Sequence, residues 1–204
     1  MYHLYDFLPS GNGYKIRLLL TQLKTPFERI EIDILKQESR TPEFLTKNPN
    51  GRVPVLELQS GQFLAESNAI LFYLSQGTPY FSEDPLEAAQ IMQWLFFEQY
   101  SHEPYIATSR FWITCLGQPD QYCKQLNQKR ELGYAALKVM ENHLLERDFF
   151  VAERYTIADI GLFAYTHVAH EGGFDLAGFP AIQTWINRVQ SQPRHISIKG
   201  TSKN

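Results

Sequence analysis

The segment from Gly51 to Ile70 constrains the fold of this chain more than any other part of the sequence. Pro54 opens a short apolar strand, a second short strand follows, and an apolar helix begins near Ser67. A proline at the first position of a strand takes no N–H from the sheet, and X–Pro bonds are the peptide bonds in which the cis form is accessible. We therefore predict a cis bond between Val53 and Pro54. The resulting bend directs the backbone N–H and C=O of Val53 outward, where an extended peptide can pair with them.

Two adjacent residues at the start of this helix predict a receptor for a zwitterion. Ser67 is expected to be the N-cap, and the N–H groups of the first turn, with the positive end of the helix dipole, favour a carboxylate. Glu66 offers the opposite charge to an ammonium group. Because an α-amino acid carries both charges on one carbon, this site beside a peptide-pairing edge predicts a small peptide ligand. The alternative is an ordinary helix cap next to a solvated acid.

Three motifs, in the expected order, resemble those of the cytosolic glutathione transferase family. They are Ser10-Gly-Asn-Gly-Tyr-Lys, then Asn48-Pro-Asn-Gly-Arg-Val-Pro-Val-Leu with Leu64-Ala-Glu-Ser-Asn-Ala-Ile, and finally Tyr155-Thr-Ile-Ala-Asp-Ile-Gly-Leu. The resemblance covers nearly the whole chain and is strongest to serine-type bacterial members. It implies a thioredoxin-like α/β domain followed by an all-helical domain, a homodimer, and glutathione as co-substrate with no further cofactor and no metal.

The order of predicted elements agrees with this division into two domains. Residues 1–76 show the pattern strand, helix, strand, short helix, two strands and a helix, and residues 77–85 are rich in Gly, Pro and polar residues, as linkers are. Residues 86–204 show no convincing strand pattern. Long helices are predicted there over 86–115 and 121–147.

Two further helices and a tail are predicted at the C-terminal end. Thr156-Ile-Ala-Asp159 is close to a capping box that opens a helix, with Asp in place of the usual Glu. Pro180 begins the last helix. The residues from Lys199 to Asn204 are expected to form a loose tail.

Composition argues against several classes of partner. The formal net charge of -3 and the pI near 6.1 disfavour a nucleic-acid or anionic-membrane surface. The sequence shows neither a signal-peptide pattern nor an apolar run long enough to span a membrane. Cys115 and Cys123 form no Cys-x-x-Cys motif and are too few for a disulfide framework. We therefore expect a cytoplasmic protein without nucleic-acid or membrane partners.

The loop that begins at Ser10 is the predicted site of thiol activation. Only the thiolate form of a thiol is a competent nucleophile, and a hydroxyl donor beside a helix N-terminus is suited to stabilise it. Lowering a thiol pKa from ~8.5 to ~6.5 takes ~2.7 kcal/mol, which a hydrogen bond to a charged group and a helix end can supply. Asn12 is a second candidate for this role. An ordinary turn is the alternative for both residues, and Tyr5 is interpreted as a packing residue.

The other candidate residues are predicted to bind either the glycyl carboxylate of glutathione or the electrophile. Arg52 is a candidate partner for the glycyl carboxylate of glutathione, with a solvated surface charge as the alternative. His102, Tyr105 and Phe111 lie on a predicted long helix and are candidates for the apolar wall of an electrophile pocket. Aromatic residues at this spacing are also typical of a helical core, which is the preferred interpretation of Trp112. His102 is expected at the surface or an interface.

These observations predict a glutathione transferase that activates glutathione for conjugation to small apolar electrophiles. One alternative is a glutathione-dependent peroxidase or disulfide reductase that uses the same loop. Another is a non-catalytic, transferase-like binding or regulatory module. No cysteine lies between Ser10 and Lys15, which separates the chain from cysteine-dependent members of the family. The presence together of Ser10, Pro54, Glu66 and Ser67 disfavours a non-catalytic module.

Overall fold

A computed structural model describes residues 1–200, and these residues form two compact units. Unit 1 contains residues 1–76 and the C-terminal segment that begins at Pro193, and unit 2 contains residues 77–192. Unit 1 combines helices with a mixed sheet, and unit 2 is helical. The predicted fold class, a thioredoxin-like α/β domain and an all-helical domain, is confirmed.

The sheet of unit 1 has four strands in the order β2-β1-β3-β4. The strands are β1 (Tyr2–Asp6), β2 (Phe27–Glu31), β3 (Val55–Glu57) and β4 (Phe63–Ala65). β1 is parallel to β2, whereas the β1–β3 and β3–β4 pairs are antiparallel. Because Val55 pairs with both Tyr5 and Ala65, the proline bend before β3 lies at the same edge of the sheet as the ends of β1 and β4.

Three α-helices complete the described part of unit 1. They are α1 (Gly11–Gln22), α2 (Pro42–Lys47) and α3 (Ser67–Ser75), with 3-10 turns at Ile34–Lys36 and Glu38–Arg40. Helix α1 packs against α3 and is buried on nearly all sides, so its charged residues Lys15 and Arg17 are buried as well. It begins at Gly11, with Ser10 as its N-cap.

The C-terminal segment of unit 1 differs from the predicted organisation. The Tyr14 hydroxyl donates a hydrogen bond of 2.7 Å to the C=O of Ile196. The Arg17 guanidinium donates to the C=O of Ile198 at 2.9 Å and to that of Gly200 at 3.0 Å. The last residues were predicted to continue the helical domain and to end in a loose tail. Up to Gly200 they bind α1 instead, and residues 201–204 of the predicted tail lie outside the described residues.

Five α-helices build unit 2. They are α4 (Pro85–Phe97), α5 (Glu103–Arg110), α6 (Cys123–Leu144), α7 (Ile157–Thr166) and α8 (Pro180–Gln190). The predicted helix over 86–115 is interrupted by π-helical turns at Glu98–His102 and Phe111–Cys115. The first turn precedes Pro104, which lacks an N–H and whose ring clashes with the carbonyl four residues earlier in a regular α-helix. None of the helices in residues 1–200 is sufficiently long and apolar to traverse a bilayer.

Helix α7 lies in the core of unit 2, and Asp159 fixes its N-terminus. Thr156 is the N-cap, and the predicted capping box is present. The Asp159 carboxylate accepts hydrogen bonds from the N–H and the hydroxyl of Thr156 at 2.9 and 3.2 Å. It also accepts from the backbone N–H of Phe150 at 3.2 Å and from the indole N–H of Trp185 at 2.9 Å. One buried carboxylate therefore joins α7 to α8 and to the loop before α7.

Asp159→Ala is expected to destabilise unit 2 strongly, because it leaves the buried donors of Phe150 and Trp185 without an acceptor. Each such group costs ~1–3 kcal/mol, so the loss should reach about 3 kcal/mol or more, which is on the order of 6–12 °C in melting temperature. Scanning calorimetry measures this change. Asp120→Ala, at an exposed position of unit 2, is the control and should melt like the wild type. Equal melting temperatures for the two variants would contradict the central role of Asp159.

Candidate active site

The bend before β3 has the predicted geometry, because the peptide bond between Val53 and Pro54 is cis. A buried side chain supports it from the preceding loop. Asn48 donates through Nδ2 to the C=O of Arg52 at 2.8 Å, and its Oδ1 accepts from the N–H of Asn50 at 3.0 Å. The pairing of the Val53 backbone with a peptide ligand stays a prediction.

Helix α3 begins differently from the prediction, and the assignment of Ser67 as its N-cap is wrong. Ser67 is the first helical residue, and Glu66 occupies the cap position. The Ser67 hydroxyl is turned toward α1, where it accepts from Lys15 Nζ at 3.2 Å and donates to Asn12 Oδ1 at 3.0 Å. The hydroxyl therefore joins α3 to α1, and Ser67 lies within the helix and not at its cap.

The backbone of Glu66 is strained. Its φ of 66° and ψ of 112° lie in a region of backbone conformation that residues other than glycine rarely adopt. Such a residue costs on the order of 1–3 kcal/mol, and strained residues of this kind are concentrated at ligand sites. The Glu66 side chain is exposed, so its carboxylate can meet a ligand. This conformation replaces the expected capping geometry at the start of α3.

Ser10 has the turn structure that the sequence offered as the alternative, and its role in thiol activation stays a prediction. Its Oγ accepts a hydrogen bond from the N–H of Gly13 at 3.4 Å, and its own N–H donates to the C=O of Phe7 at 2.7 Å. It is therefore both a turn residue and the N-cap of α1. The cap uses a lone pair of the hydroxyl and not its proton, so the same side chain can donate a hydrogen bond outward.

The loop that carries Ser10 is anchored by a buried ion pair. Arg17 Nε donates to Asp6 Oδ2 at 2.9 Å, and Arg17 Nη2 donates to the C=O of Leu8 at 2.8 Å. Burial raises the pKa of the Asp6 carboxyl to about 6, and the adjacent Arg17 charge limits this rise. Gly13 is required at its position because a Cβ there would lie 1.5 Å from Asp6 Oδ1.

Tyr5 packs within unit 1, in agreement with its interpretation from sequence. Its hydroxyl donates to Glu57 Oε2 at 2.8 Å, and its ring contacts the rings of Phe44 and Phe63 edge to face. Burial, followed by the hydrogen bond to Glu57, raises the pKa of Tyr5 to about 12. Arg52 is exposed, and its role as the partner of the glycyl carboxylate stays a prediction.

The structure brings several predicted residues together and adds one that the sequence did not indicate. Asn12 and Ser67 are hydrogen-bonded, Ser10 and Glu66 are their close neighbours in the chain, and the β3–β4 pairing carries Pro54 and Glu66 to the same edge. The added residue is Lys15, which donates hydrogen bonds to Ser67 and Asn68 of α3. The sequence carried no local signal for this contact, because the partners of the lysine lie more than 50 residues away.

The residues predicted for an electrophile pocket lie on α5 and its extension in unit 2. His102 is fully buried, with Nε2 2.9 Å from Thr166 Oγ1, so its expected location at the surface or an interface is wrong. A histidine on a helix face gives no local signal for a buried polar partner 64 residues away. Tyr105 and Phe111 are half-buried, and their pocket role stays a prediction. Trp112 is also half-buried, stacked on Tyr122 and not within the core.

Comparison with known proteins decides the family. The model of the glutathione S-transferase N-terminal domain matches residues 1–76, and the model of the C-terminal domain of the same family matches residues 93–193. The chain belongs to the glutathione S-transferase family. The resemblance seen in its three sequence motifs is thereby confirmed.

Solved and curated glutathione S-transferase relatives cover almost the entire chain. A crystal structure of a glutathione S-transferase from Pseudomonas fluorescens Pf-5 is 50% identical, covers 97% of this chain and 98% of its own, and has a TM-score of 0.95. A structure of Ure2p in complex with glutathione is 27% identical over 95% of each chain, with a TM-score of 0.85. The disulfide-bond oxidoreductase YfcG of Escherichia coli K12 is 31% identical, over 92% of this chain and 89% of its own.

The close approach of the Asp6 carboxylate to Gly13 can be tested with Gly13→Ala, because two effects predict opposite changes in stability. Alanine is the better helix former by ~1 kcal/mol, so helix propensity alone predicts that Gly13→Ala stabilises α1. The approach of Asp6 predicts the reverse, a loss of ~1–3 kcal/mol or more. Thermal unfolding distinguishes the two. Gly178→Ala is the control, since a Cβ there meets nothing within 4 Å, and its melting temperature should not fall. A higher melting temperature for Gly13→Ala than for the wild type would show that the Asp6 carboxylate moves aside freely.

Proposed function

We propose that this glutathione S-transferase family member binds glutathione on unit 1 and stabilises its thiolate with the Ser10 hydroxyl, for conjugation to small apolar electrophiles. The observation that carries the proposal is the arrangement of Ser10. Its oxygen caps α1 while its proton can be donated, and it lies at the positive end of that helix. A bond to a charged group of ~1.5–3 kcal/mol and a helix-end contribution of ~0.3–1 are together sufficient for a two-unit fall in a thiol pKa.

The recognition of glutathione is assigned to the residues around the start of α3. The Glu66 carboxylate meets the ammonium of the γ-glutamyl group, and the N-terminus of α3 at Ser67 meets its carboxylate. The Val53 backbone, held by the bend at Pro54, pairs with the cysteinyl unit, and Arg52 meets the glycyl carboxylate. The strain at Glu66 supports this assignment, as does the glutathione complex of the related Ure2p.

A second candidate function is the reduction of disulfides with glutathione, which the relationship to the oxidoreductase YfcG favours. Burial raises the pKa of Cys115, so its thiol is a poor nucleophile, and no cysteine lies in the Ser10 loop. We assign the attack on the disulfide to the sulfur of glutathione, which the Ser10 hydroxyl would stabilise as a thiolate. Its thiolate at Ser10 displaces one thiolate from the disulfide substrate and forms a mixed disulfide with the other half. Both candidate reactions need the same activated thiolate.

The physiological setting belongs to the same proposal. We place the protein in the cytoplasm as a homodimer, which is the arrangement implied by the family resemblance. A panel of aryl halides, isothiocyanates, hydroperoxides and small disulfides, each with glutathione, separates conjugation from peroxidase and reductase activity. Turnover of the carbon electrophiles supports conjugation, whereas turnover confined to disulfides supports the second candidate. Absence of turnover throughout, with glutathione bound, would favour a binding module.

Ser10→Ala should raise the pKa of bound glutathione and slow the reaction while glutathione binding is nearly kept. The hydroxyl interacts with the sulfur, and an interaction with the thiolate chiefly helps the state that reacts. Thiolate absorbance against pH gives the pKa, and kcat with an active electrophile gives the rate. Ser60→Ala, at an exposed position of unit 1, is the control and should titrate like the wild type. If Ser10→Ala keeps the low pKa and the full rate, Ser10 is only a turn residue.

Glu66→Gln should weaken glutathione binding, because it removes the charge that meets the ammonium group. The loss of one charge-assisted contact costs about 1.5–3 kcal/mol, a factor of roughly 10–150 in Kd. Titration calorimetry with glutathione measures this factor. Glu146→Gln, which removes an exposed charge from unit 2, is the control and should bind like the wild type. Unchanged affinity in Glu66→Gln would remove the zwitterion site.

A further inference from the structure

Lys15 lies beneath the candidate glutathione site and has no exposed surface. It is three residues after Asn12 on α1, so both side chains lie on the same side of this helix. Its Nζ is 3.2 Å from Ser67 Oγ and 3.3 Å from Asn68 Oδ1. One side chain of α1 therefore contacts the first two residues of α3.

The donor and acceptor roles in this cluster are fixed by chemistry. A lysine ammonium has three N–H donors and no acceptor, so Ser67 Oγ must accept from Lys15 with a lone pair. The single proton of the Ser67 hydroxyl then goes to its other partner, Asn12 Oδ1, at 3.0 Å. The sequence of donation runs from Lys15 through Ser67 to Asn12. It has only one direction.

This direction determines which way the Asn12 amide faces. With Oδ1 held by the Ser67 proton, the two N–H donors of the amide are directed away from Ser67. Without the lysine, the Ser67 hydroxyl can reverse and accept from an amide turned by 180°. The two amide orientations differ in their hydrogen bonds, and Lys15, through Ser67, favours the one in which Asn12 Oδ1 accepts the Ser67 proton. This orientation makes Asn12 a donor in the first turn of α1, two residues after the N-cap Ser10.

We infer that Lys15 is a positioning residue for thiol activation, because it fixes Ser67 and thereby presents the N–H donors of Asn12 to the glutathione sulfur. The inference deepens the proposed function and rests on it. It also accounts for the use of a lysine at this position. Burying an ammonium is costly, and an apolar side chain of similar length would serve packing at lower cost.

The test is a double-mutant cycle on the pKa of bound glutathione, read from thiolate absorbance against pH. Lys15→Met, which keeps the length and removes the donors, and Asn12→Ala should each raise this pKa by about one unit. One unit is roughly a tenfold loss of thiolate at a pH below the pKa. Because Lys15 acts through Asn12, the double variant should match Asn12→Ala alone. Lys138→Met, an exposed lysine of unit 2, is the charge-matched control and should leave the pKa unchanged.

The outcomes separate this inference from the proposed function. Two independent effects that add in the double variant, or no effect of either single variant, would overturn the role of Lys15. The proposed function would still stand if the wild-type complex titrates well below free glutathione. If the pKa of glutathione bound to the wild type is not lowered, both the role of Lys15 and the proposed function are contradicted. Should Lys15→Met fail to fold by thermal unfolding, Ser67→Ala interrupts the same sequence of donation and takes its place in the cycle.

Discussion

The ion pair between Asp6 and Arg17 is the interaction on which the organisation of unit 1 depends. Both groups are buried, and the guanidinium spreads its donors over three parts of the chain: the end of β1, the C=O of Leu8 in the loop before Ser10, and the C-terminal segment. A buried charge is tolerated only when it is paired and hydrogen-bonded, and the planar fork of arginine suits this better than lysine. The position of the Ser10 loop follows from this network.

The candidate site is assembled from two helix starts. The N-terminal ends of α1 and α3 approach each other because the two helices pack together, and the pair Asn12–Ser67 joins them. Each helix start brings unsatisfied N–H groups and a positive dipole end, which are suited to a carboxylate or a thiolate. Backbone strain at Glu66 is maintained by the surrounding sheet and helix. The residues proposed to act on the thiol therefore lie at the start of α1, Ser10 as its N-cap and Asn12 in its first turn.

The sequence predicted those parts of the structure whose signals are local. The bend at the proline before β3, the helices of unit 2 and the capping box at Thr156 each depend on neighbouring residues, and each is present. The prediction failed where a side chain is engaged by a distant part of the chain. Serine is a residue type that N-caps favour, but the Ser67 hydroxyl accepts a hydrogen bond from Lys15, which lies 52 residues away in sequence. His102 was misplaced for the same reason, since a buried polar residue and an exposed one are indistinguishable in a helical pattern.

The C-terminal segment gives the chain an unusual order of assembly. Unit 2 is continuous in sequence, whereas unit 1 is interrupted by it, and the segment after Pro193 returns to α1. Domains generally fold as units as the chain emerges during synthesis, N-terminal parts first. Here Arg17 is made before unit 2, but its acceptors at Ile198 and Gly200 are made after it. Unit 2 can be complete while unit 1 still lacks these acceptors, so the unit that carries Ser10 reaches its final form only after all of unit 2 has been synthesised.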